Sequence, residues 1–384
     1  MKISKLIVLL LSVGVVSVAH AQSSVTLYGI VDAGLQYTSN SKSLAKYSFL
    51  SGGNYSDRWG VKGVEDLGNG LNAIFTLENG FNIGTGAFAS SGTEFNRQAF
   101  VGLSSAQYGT LTFGRQYSVT TDLIEAYGPA SNTGLGAFPG DISDMDNGVR
   151  LNNAVKYKTQ TYRGLTLDAM YGFSNNAGQM NGGSAWAAGF SYIQGPIVAG
   201  ATYFKTNTAT GTSASSSSAI ATGNSVSAGF GNSASQQVVN AVAGFKTAQT
   251  YTGLDFAYTQ YRPSASAFTT HSVAFTSIGA VSQYQFRPDI SVGLSYNYTL
   301  GQSIDSASKS SAPRYQEIAG KFAYSLSKRT AFYVFGGYQH ASGQTLSSAG
   351  TLVDATANLG DGGNGAPSFG KNQAIIRIGM YNKF

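Results

Sequence analysis

Ile376-Arg377-Ile378-Gly379-Met380-Tyr381-Asn382-Lys383-Phe384 ends the chain. In an extended strand successive side chains point to opposite faces. Ile376, Ile378, Met380, Asn382 and Phe384 therefore share one face, and Arg377, Gly379, Tyr381 and Lys383 share the other. One face is mainly apolar and the other carries charge, with strict period two. Such a strand fits a wall that has lipid on one side and water on the other, as in a membrane β-barrel.

The same period recurs toward the N-terminus. In 25–37, Val25, Leu27, Val31, Ala33, Leu35 and Tyr37 oppose Thr26, Asp32 and Gln36, and only Ile30 breaks the pattern. Trp59 and Val61 oppose Arg58 and Lys62. The cluster Asp66-Leu67-Gly68-Asn69-Gly70 is rich in residues that tolerate positive φ, so it reads as a turn. Leu71, Ala73, Phe75 and Leu77 then alternate with Asn72, Ile74, Thr76 and Glu78, which makes a hairpin. Thirteen further strands are predicted at 94–104, 110–117, 150–159, 165–173, 184–193, 197–205, 236–247, 253–261, 271–286, 289–299, 314–326, 329–339 and 373–384. The total is about 16, an even number, as bacterial outer-membrane barrels require.

Short connections, such as Gln194-Gly195-Pro196 and Arg287-Pro288, alternate with long links at 38–55, 82–93, 118–149, 206–235, 300–313 and 340–372. Short turns on one side and long loops on the other are the expected asymmetry of an outer-membrane barrel. Tyr28, Tyr37, Tyr171, Phe173, Tyr192, Tyr203, Tyr296, Tyr298, Tyr333 and Tyr338 fall near strand ends and are expected to form aromatic girdles at the two membrane boundaries.

Composition agrees. Only 11% of residues are charged, against about 25% in an average soluble domain. The chain has 49 Gly, 23 Tyr and 22 Phe. A Gly- and Ser-rich secreted β-protein, adhering through the long loops, is the competing reading. Met1-Lys2-Ile3-Ser4-Lys5, an apolar run over 6–18 and Ala19-His20-Ala21 describe a secretory signal peptide over 1–21. The pore domain is then 22–384, and no later stretch reaches the ~18 apolar residues of a helical span. With no Cys there is neither a disulfide framework nor a thiolate metal site. The formal charge is +6, and no basic run is dense enough for nucleic acid.

Barrels of 16 to 18 strands enclose an aqueous channel rather than a filled core. The link 118–149 is the candidate for narrowing it. It holds Asp122, Glu125, Asp141, Asp144 and Asp146, and it lies between strands that carry Arg115 and Arg150. An acidic loop against a wall bearing Arg58, Lys62, Arg97, Arg115 and Arg150 would set a transverse field across a constriction. Arg115 shares the parity of Leu111 and Phe113, so it reaches the lumen only if a bulge intervenes. The plain alternative is that these arginines pair with Glu78, Glu65 or Asp168 as structure.

The segments 25–34, Arg58-Trp59-Gly60-Val61-Lys62-Gly63 and 109–117 resemble those of Gram-negative general diffusion porins, and so does the terminal Phe384 strand. The resemblance covers essentially the whole mature chain. It implies a homotrimer of 16-stranded barrels with loop three folded into the lumen. It also implies that Arg58, Arg115 and Arg150 are constriction arginines and that Phe384 belongs to the signal read by the barrel-assembly machinery. The family's Pro-Glu-Phe-Gly-Gly bend is absent. Phe138-Pro139-Gly140-Asp141 lies near its place, which makes Asp141 the first-choice facing carboxylate, followed by Asp122 and Glu125. The expected partners are outer-membrane lipid and lipopolysaccharide and the small hydrophilic solutes and ions that pass, with mild anion preference. A substrate-specific channel is the runner-up.

Enzyme chemistry finds no constellation. His271 and His340 are the only histidines past residue 21, and no Gly-x-Ser-x-Gly elbow accompanies them. Asp141–Gly148 is out of step with an EF-hand loop, and Asp361-Gly362-Gly363-Asn364-Gly365 lacks the Lys and helix of a phosphate cradle. No cofactor or metal is expected.

Overall fold

A computed structural model describes residues 23–146, 148–178, 180–207, 225–304, 311–361 and 367–384; the expected signal peptide lies outside them. The strands are β1 Ser24–Ser41, β2 Leu44–Ser51, β3 Arg58–Gly68, β4 Leu71–Gly80, β5 Gln98–Ser105, β6 Gly109–Tyr117, β7 Arg150–Lys158, β8 Leu165–Gly172, β9 Ala185–Gln194, β10 Ile197–Asn207, β11 Ser233–Lys246, β12 Thr250–Pro263, β13 Val273–Arg287, β14 Ile290–Gly301, β15 Arg314–Ser325, β16 Thr330–Ser342, β17 Gln344–Leu346, β18 Leu352–Asp354 and β19 Asn372–Lys383. β1, β3 to β16 and β19 make a closed antiparallel barrel of 16 wall strands. β17 and β18 form a separate hairpin within a long outer link.

Alternation fixes which side faces lipid. In β14, Leu294 and Tyr296 are 60% and 49% exposed, while Ser295, Asn297 and Thr299 between and beyond them are buried. In β19, Ile376, Ile378 and Met380 are exposed and Arg377 is fully buried inside. A cylinder with an apolar outside and a polar inside leaves no strand edge in hydrocarbon. The barrel closes where β19 pairs with β1, with Gln36 opposite Arg377 and Asp32 opposite Tyr381.

The 38–55 link corrects the sequence reading. It contains β2, which pairs with the upper half of β1 while β3 pairs with the lower half. One wall position is thus shared by two short strands. The hairpin turn is Lys42-Ser43, both at positive φ. Neither residue is the Gly or Asn that advertises such a turn, so nothing in the residues announced it. Between β2 and β3 the chain leaves the wall and enters the lumen, where the amides of Asn54 and Tyr55 donate to Asp32 Oδ2 at 2.8 and 2.7 Å.

The girdle expectation also needs correction at two positions. Tyr28 and Tyr333 point inward. The Tyr28 hydroxyl donates to Glu78 Oε2 at 2.9 Å, and that of Tyr333 to Asp32 Oδ1 at 2.5 Å. Tyr296 and Tyr338 do stand on the exposed face, as does Phe173.

Candidate pore constriction

The 118–149 link folds into the barrel. It carries two short helices, α1 Val119–Leu123 and α2 Pro129–Thr133, and a 3-10 turn at Pro139–Asp141. Pro129 suits the first turn of α2, where its missing N–H has no intrahelical partner to lose. Val119, Leu123 and Ile124 pack with Leu151, Met170, Ala187 and Phe204 of the wall. Farther along, Phe138 and Ile142 join an apolar cluster with Tyr261 and Phe275, and Leu135 joins Phe335 and Leu359.

Polar wall side chains hold the loop by its backbone. Asn240 Nδ2 donates to the Ser143 carbonyl at 2.8 Å, Thr259 Oγ1 to that of Ile142 at 3.0 Å, and Asn297 Nδ2 to that of Gly136 at 2.7 Å. Thr120 and Thr202 hydroxyls lie 3.0 Å apart. The loop therefore lies along the inner wall of β8 to β16, and the walls of β1 and β3 to β6 face it across the lumen.

Charge gathers on that facing wall. Glu78 of β4 is 4% exposed and collects donors. Arg97 Nε donates to its Oε1 at 2.9 Å, and the Tyr117 hydroxyl to the same oxygen at 3.1 Å. Arg58 Nε stands 3.9 Å from Oε2. The Arg150 guanidinium lies 4.8 Å from the Tyr117 ring centroid. Arg58, Arg97, Tyr117 and Arg150 thus form one cluster organised by Glu78. The pairing alternative for Arg58 and Arg97 is realised here, inside the lumen. Lys62 stands apart, with its ammonium 5.4 Å from the Tyr28 ring centroid.

Arg115 depends on a bulge. Gly114 has φ +133°, and the β6–β7 register slips between Gly114 and Gln116. The extra residue of the slip lies on β7, where Asn152 and Asn153 stand against Arg115 alone, and the local distortion on β6 is the φ of Gly114. Arg115 Nε and Nη2 donate to the Asn96 carbonyl at 2.8 and 2.6 Å, and its Nη1 donates to Asn152 Oδ1.

The loop acids separate. Asp122 Oδ2 accepts from Lys156 Nζ at 2.5 Å, and that ammonium also donates to the Tyr117 carbonyl at 3.0 Å. Burial pushes the Glu125 carboxyl up to about 7, against the lowering pull of the Thr121 hydroxyl and of Arg150 and Arg97. Asp141 has φ +50° and its Oδ1 accepts the Met145 amide at 2.9 Å, a bond within the loop. Asp144 is buried and ties the loop ends, accepting the Val149 amide at 2.5 Å and the Ser118 hydroxyl at 3.2 Å. Sequence reasoning missed Lys156, although plain alternation from Arg150 puts it on the same face. Glu78 was among the three carboxylates the sequence offered as partners of these arginines, and the structure makes it the one that Arg58 and Arg97 share. Phe384 exchanges backbone hydrogen bonds with Gly29, each 3.0 Å long.

A closed 16-stranded barrel with a polar interior, a lipid-facing exterior and an inward-folded loop defines an outer-membrane diffusion channel. Its sequence agrees. The profile of the Gram-negative porin family matches residues 8–344, and the chain belongs to that family. It is 29% identical over 360 residues to an outer membrane porin protein of Bordetella pertussis, spanning 85% of this chain and 91% of that one. The anion-selective porin from Comamonas acidovorans superposes with a TM-score of 0.73 at 24% identity, covering 94% of this chain and 100% of that one. The trimer form of OmpT, an outer membrane protein of Vibrio cholerae, superposes with a TM-score of 0.64 at 14% identity, covering 94% and 99%.

Proposed function

We propose that this porin conducts small hydrophilic solutes and ions through a constriction set between the 118–149 loop and the wall of β3 to β7, with mild preference for anions. The observation that carries this reading is the charge count of the facing wall. Arg58, Arg97, Arg115 and Arg150 converge there, and Glu78 is the carboxylate that answers them. Of the loop acids, Asp122 is spent on Lys156, Asp141 on its own turn, and Glu125 is held toward its neutral form near pH 7. The cations therefore dominate the narrow section, and a cationic constriction raises the local concentration of anions. Lys62 adds positive charge farther along β3.

The chain works as a homotrimer on this reading, by likeness to the OmpT trimer form, and the anion-selective Comamonas porin supports the sign of its preference. Residues 1–21 direct secretion, Phe384 is read by the barrel-assembly machinery, and the assembled barrel sits among lipid and lipopolysaccharide.

Reversal potentials across a planar bilayer in a salt gradient test the selectivity. The native channel should pass anions in excess, and R115Q should reduce that excess. A clear cation preference in the native channel, or no change in R115Q, would sink the assignment.

A further inference from the structure

The sector from β8 to β13 has an uneven charge distribution that the pore does not use. From residue 169 to residue 288 the chain contains one acidic residue, Asp255. Asp255 is buried between the exposed Leu254 and Phe256, so it points inward. The outer face of this sector therefore carries no negative charge.

Two cations stand on that outer face at the rim. Phe204 and Thr206 are buried inside, so Lys205 between them points outward. Tyr261 is likewise buried inside, so Arg262 points outward. Lys205 lies opposite Gln237 of β11, and Arg262 lies opposite Ser235 of the same strand. The two are thus two strands apart, roughly 10 Å laterally. Neither has a hydrogen-bond or ion-pair partner among the described residues, and both are at the end of the barrel that carries the long links. The other cations of the sector sit elsewhere: Arg287 pairs with Asp289 beside a short turn, and Lys246 lies over the Tyr127 ring.

Lys205 also lines a cavity of about 530 Å³ with Tyr171, Asn181, Ser184, Trp186 and Asn207. The cavity is outside the pore, because Ala185 and Ala187 flank Trp186 and face inward. Trp186 packs on Tyr203 with ring centroids 4.7 Å apart. Aromatic rings of this kind mark the boundary between acyl chains and headgroups. A lysine one step above that boundary, beside amide and hydroxyl groups, stands at headgroup depth.

We propose that this rim cavity binds the phosphorylated headgroup of an outer-leaflet glycolipid, with Lys205 on a phosphate, Arg262 supplying the second cation, and the Asn181 and Asn207 amides on the sugar. Phosphate oxygens accept charge-assisted hydrogen bonds from both side-chain types. With Asp255, the one carboxylate in these 120 residues, turned inward, nothing on the outer face repels an anionic headgroup. The site rests on the outer-membrane lipid contact proposed above and gives that contact an address.

Trp186 reports on it. In a W59F background it is the sole tryptophan. Titration of that chain in detergent with diphosphorylated lipid A should change the Trp186 emission saturably. The K205Q/R262Q variant should bind at least about tenfold more weakly, and dephosphorylated lipid A should show the same loss. No saturable change, or equal binding by the double variant, overturns the proposal. Competition by millimolar inorganic phosphate as effective as lipid A overturns the lipid assignment in favour of a free-anion site. Single-channel conductance of K205Q/R262Q should match the native value, since neither residue lines the pore. That measurement separates a failed lipid site from a failed channel.

Discussion

Arg377 on the last strand donates from Nε to Gln36 Oε1 on the first strand at 3.0 Å, and its Nη2 donates to the same oxygen at 2.5 Å. The guanidinium that the terminal strand turns inward thus spans the seam that closes the barrel. Four residues along β1 from Gln36, Asp32 holds the inward segment between β2 and β3 through the amides of Asn54 and Tyr55, and it accepts the Tyr333 hydroxyl on its other oxygen. Asparagine in its place has one acceptor oxygen and turns two N–H groups toward existing donors. D32N should therefore release the 52–57 segment within the lumen and cost about 1–3 kcal/mol. Single-channel recordings should show a noisier open state than the native channel. Unchanged noise and an unchanged urea midpoint would mean that Asp32 does not restrain the segment.

Glu78 is the negative charge that answers Arg58 and Arg97. E78Q keeps the size of the side chain and removes the charge, so both arginines gain freedom to attract anions. Anion preference in a salt gradient should rise, and stability should fall by about 1–3 kcal/mol as the Tyr28, Tyr117 and Arg97 donors lose an ionised acceptor. An unchanged ion preference would show that Glu78 does not act on the permeating ions.

Side-chain parity is local, and it was legible. Sixteen wall strands, the inward Arg377, and the inward trajectory expected for 118–149 all follow from period two, strand number and loop length. What escaped depended on backbone geometry or on distant partners. β2 hid behind a turn whose positive φ falls on Lys42 and Ser43. Lys156 shares the parity of Arg150, but its partner Asp122 lies 34 residues away on the inward loop. Strand-end position places Tyr28 and Tyr333 in the girdles, but it does not reveal a buried carboxylate, Glu78 or Asp32, opposite the hydroxyl. The candidate arginines could be named one by one, but the identity of their partners required the register of strands far apart in sequence.

Phe384 and Gly29 define a second close approach at the seam. Their backbones exchange two hydrogen bonds of 3.0 Å, and a Cβ added at Gly29 would meet the Phe384 ring as well as the Arg58 carbonyl oxygen at 2.7 Å. G29A should therefore displace the terminal ring and cost about 1–3 kcal/mol, the usual range for overpacking. The temperature at which the folded band converts to the unfolded band on heated gels should drop. F384A in the same background should recover part of the loss, because the clash with the ring is gone. No recovery would place the strain at the Arg58 carbonyl instead.

Glu125 makes the channel's selectivity depend on pH. Burial raises its carboxyl from an ordinary 4.5 to about 7, with Arg150 and Arg97 among the groups that pull it down. Between those two values the folded chain holds a proton that the unfolded chain has released. Its contribution to stability is therefore complete below about 4.5 and is lost as the pH rises through about 7. The same titration changes the charge beside the arginines. Protonation below pH 7 removes one negative charge from the constriction, so anion preference should rise as the pH falls from about 8 to about 6. Asp122, the neighbouring loop carboxylate, is paired with Lys156. E125Q fixes the neutral form, so its reversal potential should match the native acidic value and stay flat between those pH values. A native reversal potential that is itself flat across the window would place Glu125 outside the path of the ions.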